Sequence, residues 1–324
     1  MTAARDILGH AYARASLEAD LKAGNLAHAY LFAGPRHVGK FAVAHWFVRR
    51  VLTEGLDPDA AAELTRQLDR LIHPDLLVLD QLWMDEICDD WDVISKTSNV
   101  PQEHRAKREP PMKTDTISID DVRAIQERLH STGAGTHRFC LIRSVERMQD
   151  EAANALLKIL EEPPPGRIFI LTTQQLEGLL PTVVSRCRVL HFSPLPHQEL
   201  LPLLKDESEE EKGFLLHLAQ GAPGVLKRLL ADPDSRRTEQ ALHTAARAFY
   251  AEPKLITRLK TLEPLAKRGP DGEDLLRHLF LALREEDAAA RLRLTPALLR
   301  FAADLETNTH RGLLCTRFAM EVAA

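Results

Sequence analysis

The chain has 324 residues, of which 44% are hydrophobic and 27% charged, and its formal net charge is -5. This composition is ordinary for a globular protein, and the length predicts two or three domains. We expect a cytoplasmic protein, because the sequence contains neither an apolar run long enough for a transmembrane helix nor an apolar signal-peptide segment at its start. The mildly acidic charge and the 5% aromatic content argue against a strong DNA-binding protein acting alone.

The first part of the chain alternates between helical and strand patterns. Short apolar runs predict buried strands at residues 28–34, 75–80, 138–145, 167–173 and 188–195. Helices are predicted at residues 11–23, 40–52, 58–72, after a Ser118–Asp121 capping box, and at 150–162, with a short helical stretch before residue 185. This alternation predicts a parallel sheet covered by helices on both faces.

The predicted domains follow from where the strand pattern breaks. Residues 81–113 contain two tryptophans and mixed charges, and we interpret them as an irregular insertion or exposed loop. We therefore predict an α/β core domain over residues 1–196 with this insertion, a small helical domain over 197–232, and an all-helical domain over 233–324. In the last domain, a leucine-rich stripe over 275–283 has core or interface spacing, and Thr295 with Pro296 predicts a helix start.

The stretch "GPRHVGKF", residues 34–41, resembles a phosphate-binding loop between a strand and a helix. Gly34, Gly39 and Lys40 match the pattern G-x-x-x-x-G-K-[ST]. Phe41 stands where a Ser or Thr hydroxyl would hold Mg²⁺, and it has no side-chain oxygen. His37 adds a bulky side chain inside a turn that often needs glycine.

A second departure lies at the end of a later predicted strand, where an Asp-Glu pair would assist the metal. Arg143 and Ser144 occupy those positions. The magnesium site thus lacks both protein ligands, and we predict that the isolated chain does not hydrolyse ATP. A loop kept for its strand-to-helix turn is the favoured interpretation; nucleotide binding without hydrolysis and an active ATPase are the alternatives.

The four cysteines, Cys88, Cys140, Cys187 and Cys315, are widely spaced, and no C-x-x-C pattern occurs. This spacing predicts free thiols, without a zinc site or a disulfide framework. We expect no bound metal and no cofactor.

Four motifs in order, "LAHAYLFAGPRHVGK", "HPDLLVL", "NALLKILEEPP" and "LLPTVVSRCRVLHF", resemble bacterial clamp-loader subunits of the AAA+ class over about residues 7–232. In that family the gamma and tau motor subunits keep an intact phosphate loop, an acidic pair and a zinc module, whereas the delta-prime subunit of DNA polymerase III often has degenerate nucleotide sites. The chain resembles the delta-prime branch. It has no zinc-binding cysteines over 53–72, and near Gly224 it lacks the nucleotide-sensing arginine of the motor subunits.

The resemblance implies a role for Arg186 in the motif "SRC": this arginine would reach across a subunit boundary to the ATP of a neighbouring motor subunit. The alternative is that Arg186 pairs with a carboxylate at a helix end. Thr172 and Thr173 lie near the position where motor subunits sense the terminal phosphate, and we interpret them as strand-end hydroxyls. Contacts with neighbouring subunits and local helix pairing are equally favoured for Asn154, Lys158, Glu161 and Glu162.

The resemblance also implies partners. We expect a non-hydrolysing stator within the DNA polymerase III holoenzyme, partnered by gamma/tau and delta, with the C-terminal domain in an oligomeric collar. Sliding clamp and primer-template DNA would be met through the assembled complex, without a membrane. Basic residues that might track DNA are interpreted as solvated charges; they are Arg49, Arg50, Lys107, Arg108 and Lys113. The alternatives are an active ATPase, such as a gamma/tau-like motor or a helicase loader, and an AAA+-like scaffold outside replication.

Overall fold

The computed structural model describes residues 7–79, 116–130, 135–267, 269–307 and 309–323. Their contacts define two compact units, Met1–Leu204 with Gly221–Gly224 and Lys205–Gln220 with Val225–Ala324, here called the sheet unit and the helical unit. The predicted insertion at 81–113 and Cys88 lie outside the described residues. The division into three domains stays a prediction. Among the helices described, none is long and apolar enough to cross a membrane.

The sheet unit is built on five parallel strands in the order β2-β3-β4-β1-β5. The strands are β1 Ala29–Ala33, β2 Leu76–Leu79, β3 Arg138–Ile142, β4 Arg167–Thr173 and β5 Arg188–His191. All four strand pairings are parallel, which confirms the predicted sheet. Strand β1 lies between β4 and β5, so the loop that follows it opens at the carboxyl edge of the sheet, where ligands bind in such folds.

Helices cover both faces of the sheet, as predicted. They are α1 Ala11–Lys22, α2 Lys40–Leu52, α3 Pro58–Asp69, α4 Ile119–His130, α5 Asp150–Glu161, α6 Pro181–Ser185 and α7 His197–Leu200. One core packs α1 to α3 against the sheet through residues such as Leu17, Phe47 and Leu68. The second packs α4 to α6 against the other face through Leu156 and Val183.

The start of α4 shows why a local sequence pattern predicted it correctly. The backbone N–H of Ser118 donates to Asp121 Oδ2 at 2.8 Å, and the N–H of Asp121 donates to Ser118 Oγ at 3.4 Å. These two reciprocal bonds form the predicted capping box, since they satisfy backbone donors that the first helical turn leaves without partners.

The helical unit contains helices throughout its described residues. They are α8 Glu209–Ala219, α9 Pro223–Ala231, α10 Pro233–Ala251, α11 Leu255–Thr261, α12 Pro270–Glu285, α13 Ala288–Leu305 and α14 Arg311–Ala323. The first two residues of α9, Pro223 and Gly224, are assigned to the sheet unit. Leu275, Leu279 and Leu283 of the predicted stripe are buried in its core. The ring of Phe318 stacks on that of Phe301 at 4.5 Å between centroids.

One predicted helix start was wrong. Helix α13 begins at Ala288, where Asp287 Oδ1 accepts a hydrogen bond from the N–H of Ala290 at 2.8 Å, and Pro296 lies inside the helix. A proline in a helix interior costs about 3 kcal/mol. Here Leu298 and Phe301, one turn further on, are fully buried, so burial of the apolar face offsets that cost and continues the helix.

Candidate nucleotide site and arginine finger

The glycine loop leaves β1 at Gly34 and enters α2 at Lys40, in the predicted strand-loop-helix order. A β-carbon at Gly34 would lie 2.0 Å from the carbonyl oxygen of Phe192, so only glycine fits there. His37 adopts a positive φ of 60°, and Gly39 one of 113°. The left-handed backbone of His37 is strained for a residue with a side chain, as the sequence suggested.

The ammonium group of Lys40 is turned into its own loop. Its Nζ donates hydrogen bonds to the carbonyl oxygens of Gly34 and Pro35, the latter at 2.6 Å. Burial lowers the pKa of Lys40 to about 8, opposed by the charge of Glu146 and reinforced by that of Arg143. The group that would meet the terminal phosphates of a nucleotide therefore has partners within the protein.

Two further contacts hold the loop in this shape. The backbone N–H of Gly224, at the start of α9, donates to His37 O at 2.9 Å. His10 Nε2 lies 2.7 Å from Val38 O, at hydrogen-bond distance. A β-carbon at position 224 would lie 3.0 Å from His37 O, so any residue but glycine would crowd this contact. Sequence reasoning missed both contacts, because each joins segments far apart in the chain.

The two residues that replace the magnesium ligands lie next to each other. The guanidinium carbon of Arg143 is 5.3 Å from the centroid of the Phe41 ring, a cation–π contact. Phe41 is partly buried against the core that packs α2 on the sheet. Sequence reasoning identified both residues but not their contact, because that contact joins α2 to the end of β3.

Two threonine hydroxyls at the carboxyl end of β4 form hydrogen bonds with backbone groups. The N–H of Ser144 donates to Thr172 Oγ1 at 3.1 Å, and Thr173 Oγ1 donates to Gln175 O at 2.7 Å. Both threonines are buried. These contacts are those of strand-end hydroxyls. A carboxylate that the sequence reasoning missed, Glu146, accepts a hydrogen bond from Gln174 Nε2 at 3.0 Å.

Arg186 ends the short helix α6 and is partly exposed. Its Nη2 lies 2.7 Å from Glu161 Oε1, with 37% and 41% of the two side chains exposed. Its Nη1 also donates to Thr182 O at 3.2 Å. Glu161 is the last residue of α5, so the carboxylate pairing considered as an alternative exists in the isolated chain. Such an exposed pair contributes only about 0–1 kcal/mol.

The other predicted surface residues lie where the pattern of α5 places them. Asn154, Lys158 and Glu162 are exposed, like Glu161. Arg49 and Arg50, at the end of α2, are partly exposed. Lys107, Arg108 and Lys113 lie outside the described residues.

Three of the four cysteines are described, and they form no disulfide with one another. Cys140 and Cys315 are buried, and Cys187 is half-buried. Burial raises the pKa of Cys140 and of Cys187 to about 12, which makes both thiols poor nucleophiles at neutral pH.

The five-stranded parallel sheet in the order β2-β3-β4-β1-β5, with a glycine loop between β1 and α2 and a helical region after it, defines a P-loop domain of the AAA+ class. A sequence profile described as "DNA polymerase III, delta subunit" matches residues 9–196, which is more than half of the chain. The chain therefore belongs to that family, as a delta-prime-like clamp-loader subunit.

Curated relatives come from both branches of the clamp-loader family. The chain is 31% identical to the DNA polymerase III subunit delta' of Escherichia coli (strain K12) over 59% of this chain and 52% of that protein. It is 24% identical to subunit tau of Bacillus subtilis (strain 168) over 86% of this chain and 49% of that protein. The chain thus spans about half the length of these relatives.

Among solved structures, the chain is similar to a DNA polymerase III gamma subunit-related protein of Thermotoga maritima, with a TM-score of 0.47 and 17% identity. The alignment covers 95% of this chain and 98% of that chain.

Proposed function

We propose that this chain is a non-hydrolysing stator of a replicative clamp loader. It supplies Arg186 in trans to the ATP of a neighbouring motor subunit, and the assembled complex loads the sliding clamp onto DNA. Its partners are then motor subunits of the gamma/tau type and a delta subunit. The clamp and primer-template DNA are contacted through the complex.

The observation that carries the non-hydrolysing role is the state of the glycine loop. Lys40 is bonded to two carbonyl oxygens of its own loop, and the loop carbonyls of His37 and Val38 accept contacts from Gly224 and His10. A phosphate loop in use offers N–H groups and a lysine to the ligand. Together with the Phe41–Arg143 pair, this arrangement supports a loop that keeps its structural turn and has lost its catalytic use.

The finger role of Arg186 is supported by its chemistry and its position. A guanidinium is planar, always charged and suited to two-pronged contact with phosphate oxygens. Arg186 is partly exposed, and its ion pair with Glu161 contributes little to the stability of the fold. An arginine finger acting on a transferred phosphate raises the rate of hydrolysis roughly 10³–10⁵-fold. The corresponding free energy is much larger than the free energy that an exposed ion pair contributes to stability.

An oligomeric role of the C-terminal region is supported by apolar side chains that face solvent in the isolated chain. On α13, Leu292 is 81% exposed and Leu299 is 55% exposed. On α14, Leu313 and Met320 are 67% and 56% exposed. Such residues on neighbouring helices are typical of a surface that another subunit covers.

The test of the finger is substitution of Arg186 in a reconstituted complex with the motor and delta subunits. Arg186→Ala should leave assembly intact and lower DNA-stimulated ATP hydrolysis, and Arg186→Lys should restore little, because the fork geometry is lost. Arg66→Ala is the matched control, since Arg66 is an exposed arginine of the same unit paired with a glutamate. Unchanged ATP turnover by a complex that contains Arg186→Ala would rule out the finger role of this arginine.

The rival, an active ATPase, is tested on the isolated chain. Titration calorimetry with ATP and Mg²⁺, followed by a phosphate-release assay, should give neither tight binding nor turnover. Clear binding with turnover, reduced by Lys40→Ala, would instead assign hydrolysis to this chain.

A further inference from the structure

Three side chains from three helices of the helical unit converge on one point. They are His217 of α8, His243 of α10 and Glu285 of α12, and their ligand atoms all lie within 4.8 Å of one another. His217 Nε2 lies 3.1 Å from Glu285 Oε1, and His243 Nε2 lies 3.0 Å from the same oxygen. The Nε2 atoms of both imidazoles therefore lie next to the same carboxylate oxygen.

Hydrogen bonding does not fully account for this cluster. His243 Nε2 has hydrogen-bond geometry to Glu285, but His217 Nε2 is buried and makes no hydrogen bond with any group in the described part of the chain, despite its short distance to Oε1. The second carboxylate oxygen, Oε2, is held by Arg247 Nε at 3.1 Å. A buried nitrogen without a hydrogen bond calls for an explanation, and a missing ion is one.

We propose that His217 Nε2, His243 Nε2 and Glu285 Oε1 bind a divalent transition-metal ion, with Zn²⁺ as the best match. Two imidazole nitrogens and one carboxylate oxygen form a donor set that Zn²⁺ uses when a fourth position stays open to water. Donor atoms at about 2.0–2.1 Å from a tetrahedral ion lie about 3.3 Å apart. The two histidine-to-carboxylate separations, 3.0 and 3.1 Å, are close to that value, and the ligand atoms of the two histidines lie within 4.8 Å of each other. The side chains of His217 and Glu285 are partly exposed, so the cluster lies near the protein surface.

The surrounding charges set the expected strength of the site. Burial lowers the pKa of His243, and the charge of Glu285 opposes that shift. Arg247 adds a positive charge on the far side of the carboxylate. The buried His278 is not available as a further ligand through Nε2, because that atom lies 2.8 Å from Glu239 Oε2, at hydrogen-bond distance. His243 Nδ1 has no partner among the described residues, so this ligand lacks the outer hydrogen bond that strengthens zinc sites.

The site departs from the sequence-based prediction that the chain binds no metal, which rested on the missing cysteine cluster. An ion here would join α8 to α10 and α12, and it would stabilise the folded state by mass action. The inference is independent of the proposed stator role, because it concerns the binding of an ion to the isolated chain.

The experiment uses the full, untagged chain after treatment with a chelator and exchange into metal-free buffer. Zinc sulfate titrated at pH 7.5 in a calorimeter should bind one ion per chain and raise the melting temperature. Cobalt(II) chloride should give the visible absorption of a tetrahedral site. Both signals should disappear when excess EDTA is added, because the chelator competes for the ion.

His217→Gln and Glu285→Gln should each weaken zinc affinity at least about 100-fold, since both remove a ligand and neither residue is fully buried. His197→Gln, at an exposed histidine of the sheet unit, should leave it unchanged. Absence of zinc binding to the parent chain at 100-fold molar excess would overturn the site. Binding of the same affinity in a well-folded His217→Gln variant would do so as well.

Discussion

The ion pair between Arg186 and Glu161 offers a graded test of how the arginine is used. Glu161→Gln keeps the size of the side chain and removes its charge. The pair is 2.7 Å long, and more than a third of each side chain is exposed. The carboxylate of Glu161 and a nucleotide phosphate on a neighbouring subunit would compete for the same guanidinium.

The magnitude follows from the exposure of the pair. An exposed ion pair contributes about 0.2–1 kcal/mol, which corresponds to a factor of about 1.4 to 5 in population. Releasing Arg186 from Glu161 should therefore raise DNA-stimulated ATP hydrolysis by the reconstituted complex by no more than about 5-fold. The free energy of unfolding of the isolated chain should fall by less than about 1 kcal/mol.

The assay is single-turnover ATP hydrolysis by the reconstituted complex, so that product release does not mask the chemical step. Glu162→Gln, at the adjacent exposed glutamate, is the control and should have no effect. In the Arg186→Ala background, Glu161→Gln should change nothing further. A drop of tenfold or more on Glu161→Gln alone would refute competition, because it would mean that the carboxylate orients the arginine.

Two other predictions concern buried charges. Lys40→Ala should barely change clamp loading by the reconstituted complex, and a severe defect would show that the loop is still used. Burial raises the pKa of Glu239, but hydrogen bonds from His278 and Arg277 lower it to about 2. The shift corresponds to about 3 kcal/mol unscreened and about 1–2 kcal/mol after partial screening by solvent. In urea unfolding at pH 7, the free energy of unfolding of Glu239→Gln should be lower than that of the parent chain by that amount. This difference should shrink as pH falls from about 4.5 towards 2, because the carboxylate of the parent becomes protonated.

Local patterns predicted most of the fold, and the exceptions have physical causes. The Ser118–Asp121 capping box and the apolar strand runs act over a few residues, so the sequence displays them directly. Strand β3 ends at Ile142, short of the predicted residue 145, because Ser144 turns to a positive φ of 55°. Pro296 misled the prediction, since long-range burial of the α13 face outweighed a strong local signal.

For the candidate nucleotide site, the sequence indicated which residues depart from a phosphate loop, but it did not indicate which of them contact each other. Phe41 and Arg143 were each recognised as misfits, because a phosphate loop demands particular side-chain chemistry at those positions. Their mutual stacking joins α2 to the end of β3, and a single sequence carries no signal for it. The same holds for Glu161 opposite Arg186 and for the convergence of His217 with its partners, since each depends on how separate elements pack.

These contacts share one physical logic. The ammonium group of Lys40, which a working nucleotide site would present to its ligand, is bonded to carbonyl oxygens of its own loop, and the guanidinium of Arg143 contacts the Phe41 ring. Under the proposed non-hydrolysing role, Lys40 would have to break its contacts with the loop before it could reach a phosphate, and that cost would reduce nucleotide affinity. Arg186, in contrast, is partly exposed and is held by an ion pair with Glu161 and a hydrogen bond to Thr182 O. The proposed function thus combines a loop whose lysine is bonded within the protein with a partly exposed arginine that the phosphate of another subunit would contact.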